Sequence, residues 1–166
     1  MQGLKNNLTV LSLGSNMGDK MQNIRHAIQA LEKRFDSKAS VSNFYLTEPI
    51  GYLSNEKFLN AAVIFPKTIS PQLLLDWIFQ IESNLGRVRD GDNITDRSID
   101  IDILFIGDQI INQDGLIIPH PRLAQRNFVL IPLMDLVPEF EHPILKKPIW
   151  EIYDECMDEG EISEFE

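Results

Sequence analysis

The sequence predicts an α+β fold, a single antiparallel sheet with two amphipathic helices packed on one face. Three observations predict it. Short apolar runs of period two alternate with two longer stretches of helical spacing. The elements come in the order β-α-β-β-α-β. The chain has 166 residues, 43% of them apolar, which suits one compact domain with its own core. That order is the split βαβ arrangement of a ferredoxin-like sheet.

Taken in order, Leu8-Thr9-Val10-Leu11-Ser12-Leu13 alternates as a strand and turns at Gly14. Met21, Ile24, Ile28 and Leu31 recur at helical spacing, so residues 19 to 34 read as an amphipathic helix. Val41, Phe44 and Tyr45 mark a second strand, stopped by Glu48-Pro49-Ile50-Gly51, and a third runs from Phe58 to Phe65. The second helix starts at the N-cap Ser70 with Pro71 in its first position. Leu74, Ile78, Ile81 and Leu85 form its stripe, and Gly86 ends it. Ile99 to Ile106 is the fourth strand. Beyond Gly107 the chain is proline-rich and reads as a C-terminal extension of short helical pieces, the last over residues 148 to 157. Residues 1–150 are thus expected to form a single domain, and residues 151–166 an acidic tail, partly helical or frayed.

Charge narrows the partners. The net charge is −10, and residues 151–166 hold eight of the 25 acids and none of the 15 bases, so the body stands at −2. Nonspecific nucleic-acid binding needs a basic footprint that is missing, and an anionic membrane surface would repel the chain. The single cysteine, Cys156, excludes an intrachain disulfide and fits a reducing compartment. The opening residues Met1 to Asn7 carry no charged segment followed by an apolar core, and no apolar run reaches the ~18 residues of a membrane span. The expectation is a cytoplasmic, monomeric protein without nucleic-acid or membrane partners.

One window carries chemistry. Residues 87–126 contain five of the seven arginines (Arg87, Arg89, Arg97, Arg122, Arg126), no lysine, and seven aspartates. Arginine's planar fork grips phosphate oxygens two at a time, and aspartate oxygens suit Mg²⁺. The same composition would also serve a salt-bridged surface. Within Ser98-Ile99-Asp100-Ile101-Asp102-Ile103 the isoleucines fall on one face of a strand and the two aspartates on the other. Bare, these carboxylates would repel; a divalent cation between them would remove that cost and bridge to phosphate. The alternative is a solvated strand face. Asn60 stands where it could read a planar heterocycle or merely begin a strand, and His120 lies in the stiff run Ile118-Pro119-His120-Pro121-Arg122. Neither a Gly-x-x-x-x-Gly-Lys-Ser/Thr loop nor a Gly-x-Gly-x-x-Gly fingerprint is present, which removes the P-loop enzymes and the usual dinucleotide binders.

Several blocks together resemble a known family, the 6-hydroxymethyl-7,8-dihydropterin pyrophosphokinases of folate biosynthesis. They are Leu13-Gly14-Ser15-Asn16, Phe58-Leu59-Asn60-Ala61-Ala62, Gly86-Arg87-Val88-Arg89, Arg97 through Leu104, and Ile118 to Arg122 running on to Arg126-Asn127-Phe128-Val129-Leu130. The resemblance implies a ferredoxin-like fold, ATP with two Mg²⁺ ions, and transfer of pyrophosphate from ATP to the pterin's hydroxymethyl oxygen with release of AMP. By position it makes Asp100 and Asp102 metal ligands, and Arg87, Arg97, Asp100 and Asp102 catalytic. Glu82, Arg87, Arg89, Arg97, His120, Arg126 and the backbones of Ile103 and Ile117 would meet ATP. Phe58 and Phe128 would sandwich the pterin, with Thr47, Ile50 and Asn60 on its edge. Two other readings stay open: another Mg²⁺-dependent nucleotide kinase or hydrolase on the same scaffold, and a noncatalytic binding module.

The chain departs from the family in the stretch before Arg97. Asp90-Gly91-Asp92-Asn93-Ile94-Thr95-Asp96 is acidic, where many relatives carry a basic, tryptophan-containing lid. Acidity there should oppose closure over ATP. Asp90→Lys is therefore expected to tighten ATP binding in an equilibrium titration; unchanged or weaker affinity would contradict this.

Overall fold

The computed structural model describes residues 7–89, 91 and 93–166. Asp90 and Asp92, on which the lid expectation partly rests, lie outside the described residues, as does the segment before Asn7.

The strands are β1 (Thr9–Ser15), β2 (Ser40–Val41), β3 (Phe44–Thr47), β4 (Phe58–Phe65), β5 (Asp100–Ile106), β6 (Ile111–Gln113), β7 (Leu116–Ile118) and β8 (Ile162–Phe165). The helices are α1 (Lys20–Phe35), α2 (Pro71–Asn84), α3 (Asn127–Leu136) and α4 (Ile149–Glu155), with a 3-10 turn at Leu123–Gln125. The main sheet runs β5-β1-β4-β3-β8, every pairing antiparallel, and β2 joins beside β3 on β4. This is the expected ferredoxin-like sheet, and β6 and β7 form a separate hairpin.

Local chemistry explains the first two helices. The Asp19 carboxylate accepts the Gln22 N–H and caps α1. At α2, Pro71 takes the first helical position, where its missing N–H costs nothing, while the Ser70 side chain makes no cap hydrogen bond. Gly86 follows α2 with φ of 85°, a left-handed conformation that a side chain would strain. The expected second strand is two pieces. Between them Ser42 turns inward, its N–H donating to the Ala62 carbonyl and its Oγ accepting the Ala62 N–H.

The sequence places helices on one face; in the structure both faces are covered. Leu11, Leu13, Val63, Phe65, Ile101 and Ile103 point at α1 and α2, which supply Ile24, Ile28, Leu31, Phe35, Leu74, Ile78 and Ile81. Val10, Ala62, Ile64, Leu104 and Phe105 point the other way, at Val129, Leu130 and Leu133 of α3 and Ile149 and Ile152 of α4. A bulge keeps this partition. Val10 pairs with Phe105 and Leu11 with Ile103, so Leu104 is an extra residue in β5, and both Leu104 and Phe105 enter the α3 side. The Leu104 carbonyl accepts the His120 N–H at 3.1 Å, tying the proline-flanked loop to β5 at that bulge.

The tail departs from expectation. Instead of fraying, residues 162–165 form β8 and pair with β3, Thr47 opposite Ile162 and Phe44 opposite Phe165. The physical reason is β3's open edge, whose unpaired N–H and C=O groups accept another strand.

The apolar core below α1 is fixed by a ring cluster: Phe35 stacks on Phe65 at 4.1 Å and 8°, with Trp77 edge-on to Phe35 at 5.5 Å. Phe65→Ala should lower stability by about 3–5 kcal/mol, read from urea unfolding.

Candidate active site

Beyond the reach of α3 the second face of the sheet is uncovered, and polar side chains occupy it. Sheet register sets them in rows: Gly14 pairs with Asn60 on one side and Asp100 on the other, and Ser12 with Ala62 and Asp102. The first row opens because Gly14 has no side chain. A Cβ there would lie 3.1 Å from Asn60 Oδ1 and 3.6 Å from the Phe58 ring. Asn60 is buried; its Nδ2 donates to Thr47 Oγ1 at 2.7 Å and to the Tyr45 carbonyl at 3.4 Å, so its amide is held in one orientation.

These residues floor a cavity of about 130 Å³ whose walls include Thr47, Ile50, Phe58, Phe128, Arg97 and Arg126. Two guanidinium groups lie over its rings, Arg97 over Phe58 at 5.1 Å and Arg126 over Phe128 at 5.5 Å. Asp100 and Asp102 also line a second cavity, with Phe79, Arg89, Ile103, Ile117 and His120. The carboxylate pair is the boundary between the two spaces.

Glu82 and Arg87 line neither cavity. Glu82 lies on the apolar face of α2 and is only 2% exposed. Its carboxylate binds Arg87 and Arg89, each at 2.6 Å, and accepts the Ile101 N–H at 3.1 Å. Arg87 continues to Asp100 at 2.8 Å, and Arg97 reaches Asp100 at 3.4 Å. Glu82 thus buttresses the site from beneath β5. Burial pushes its pKa up, against the pull of the Arg87 charge.

Asp102 is the unbalanced member. It accepts no hydrogen bond among the described residues, and burial followed by the Asp100 charge pushes its pKa up to about 7. His120 moves the other way: burial, then the Arg126 charge, pulls it down to about 4. Its ring is therefore neutral at physiological pH. Nδ1 accepts the Arg122 N–H at 3.1 Å, which leaves the proton on Nε2 as a donor.

A further residue, quoted in the early Leu13-Gly14-Ser15-Asn16 block without a role, organises the rim. Asn16 is fully buried. It exchanges backbone and side-chain bonds with Arg97, its N–H donating to the Arg97 carbonyl and its Oδ1 accepting the Arg97 N–H. Its Nδ2 donates to Asp96 and to the Tyr52 hydroxyl, which also donates to Asp96. One acid of the 90–96 stretch is thus tied to the loop beside the cavity rather than left facing it. A polar residue just past a strand end gives no pattern from which such bonds could be read. Ser12, Glu48 and Ile94 also line the first cavity and were not singled out from sequence.

Comparison with known proteins identifies the family. The model of the 7,8-dihydro-6-hydroxymethylpterin-pyrophosphokinase (HPPK) family matches residues 10–138. The chain belongs to that family. The 2-amino-4-hydroxy-6-hydroxymethyldihydropteridine pyrophosphokinase of Bacillus subtilis is 38% identical over 137 residues, covering 82% of this chain and 81% of that protein. Its Porphyromonas gingivalis counterpart is 39% identical over 144 residues, 85% of this chain and 97% of that one. The folic acid synthesis protein FOL1 of Dictyostelium discoideum is 43% identical over 140 residues, 84% of this chain. The chain spans only about a fifth of that relative's length, at 21%. A crystal structure described as HPPK-DHPS in complex with substrates shares the fold, with a TM-score of 0.69, 16% identity, and coverage of 90% of this chain and 43% of the other.

The pH response follows from Asp102. Its folded pKa of about 7 lies above the unfolded value of about 3.9, so between these the folded state holds the extra proton and loses stability as pH rises. Without divalent cation, Asp102→Asn should be more stable than the parent at pH 8, with the gap closing toward pH 4 in thermal melts.

Proposed function

We propose that this chain transfers pyrophosphate from ATP to the hydroxymethyl oxygen of 6-hydroxymethyl-7,8-dihydropterin, releasing AMP, a step of folate biosynthesis. The observation that carries the reading is the Asp100–Asp102 pair standing between two cavities of different character. The first is a slot with two phenyl rings and a fixed amide, suited to a flat heterocycle with hydrogen-bonding edges. We assign the pterin there, between Phe58 and Phe128, its edge meeting Thr47, Asn60 and the Ile50 backbone. ATP takes the second, its adenine against the backbones of Ile103 and Ile117.

Asp100 and Asp102 would hold Mg²⁺. The fit is good, because a hard cation offsets both the burial and the neighbouring Asp100 charge that raise Asp102. Bound, Mg²⁺ supplies charge neutralisation on the phosphates; two ions are the expected number.

The protein's own part is positioning and electrostatics. The hydroxymethyl oxygen attacks the β-phosphorus in line. A bond forms between that oxygen and phosphorus, the bond to the α-bridging oxygen breaks, AMP leaves with the electron pair, and the hydroxyl proton passes to solvent. Arg97, Arg126 and the Nε2–H of His120 are placed to stabilise the charge that develops, with Arg89 at the ATP end. Arg87 and Arg97 are ion-paired with Asp100, the carboxylate that would hold the cation, and so stand within reach of phosphate bound to it. Glu82 keeps Arg87 and Arg89 in place. No group is required as general base. Among the described residues no helix is long and apolar enough to cross a membrane, and we take the enzyme to work in the cytoplasm as a monomer.

The test is to incubate the protein with ATP, Mg²⁺ and the pterin and resolve the nucleotides. AMP formed only with pterin present is expected, and Asp100→Ala should cut its rate by about 10²-fold or more. ADP instead would move the reaction to the γ-phosphate and favour the alternative nucleotide kinase.

A further inference from the structure

The tail beyond α4 reaches the site. Asp158 Oδ2 accepts the backbone N–H of Asn127 at 2.9 Å, Asn127 Nδ2 donates to the Asp158 carbonyl, and Asp158 Oδ1 accepts the Gly160 N–H at 2.9 Å. Asn127 is the first residue of α3. The residue in the N-cap position, Arg126, makes no side-chain cap bond. Asp158 is therefore a cap supplied from 31 residues away, an anion where the helix presents free N–H groups. The residues flanking Asn127 are Arg126 and Phe128, whose guanidinium and ring wall the first cavity. Four residues later the same tail pairs Ile162 with Thr47, another residue of that cavity's wall. Residues Asp158, Gly160 and Ile162 share a groove with Thr47, Ile50 and Phe128, directly behind the slot.

We propose that Asp158 is a positioning residue for the pterin site: by capping α3 it fixes the Phe128 ring that forms one side of the slot, with a smaller effect on ATP through the neighbouring Arg126. The proposal rests on reading the first cavity as the pterin site. The two cavities meet at Asp100 and Asp102, and the second is otherwise lined by α2, Arg89, β5 and the 115–121 segment, none of which shares a hydrogen bond with Asp158. Stacking rewards a ring already held parallel to its partner, so a loosened Phe128 has to be ordered at the moment of binding.

The experiment measures pterin and ATP affinities separately, by equilibrium fluorescence titration and by KM, for the parent, Asp158→Ala, Asp158→Asn and Asp158→Glu. Asp158→Ala should weaken pterin binding about fivefold, the fold-change of one lost helix cap, with a distinctly smaller loss of ATP affinity. Asp158→Asn keeps an acceptor at the same reach and should restore most of the loss; Asp158→Glu, a methylene too long, should not. If Asp158→Ala fails to fold, the contrast between Asn and Glu carries the test. Unchanged pterin affinity in Asp158→Ala, equal weakening of pterin and ATP, or Glu matching Asn would overturn the proposal. A parent protein that turns over nucleotide but binds no pterin would overturn the site reading instead.

Discussion

A buried carboxylate under the sheet sets the terms for the rest of the molecule. Glu82 is withdrawn from water on the core face of α2, and a lone charge there would be prohibitively costly. It is satisfied by two arginines and one backbone N–H of β5, and each of those partners becomes fixed in turn. Arg87 is then held against Asp100, Arg89 is held at the mouth of the second cavity, and β5 is pinned at Ile101, between the two aspartates. Breaking such a group by removing one partner typically costs about 3–5 kcal/mol, more than a surface ion pair returns. Stability and the alignment of the reactive face therefore share one origin.

The sheet supplies the second level of order. Because neighbouring strands are locked in register, the two aspartates, Asn60 and the bare backbone of Gly14 lie in adjacent rows without any loop having to place them. Loops enter only at the rim, where Asn16 binds the Arg97 backbone and the Asp96 carboxylate. Rigid parts hold the groups that must meet, and the segments around them carry the groups that must adjust. The bulge at Leu104 belongs to the same scheme, since its carbonyl anchors the backbone of His120.

How much of this can be read from residues alone depends on range. Strands β1, β4 and β5 and both helices of the first core are written in local periodicity, and the facing of Asp100 and Asp102 follows from alternation. The charge balance of the site does not. Glu82 falls four residues after Ile78, on the apolar stripe, and a charge at that position is the available sign that it would be buried. β8 gave no such sign. Its composition is that of a solvated acidic segment, and its partner lies well over 100 residues earlier, so only the tertiary structure brings the edge and the strand together. The role of Asn16 is hidden for a similar reason: three of its contacts come from residues 36 to 81 positions away.

The added strand has a consequence for how copies of the chain behave toward one another. Without β8 the sheet would end at β3, a short strand of Phe44, Tyr45, Leu46 and Thr47 with its hydrogen-bonding edge available. With it, the open edge belongs to a segment carrying Glu161, Glu164 and Glu166. Two molecules approaching edge to edge would bring like charges together at strand spacing before any ladder could form. The acidity that gives the chain its net −10 is thus concentrated where it can deter self-templated growth, and rising salt, by screening it, would weaken that protection.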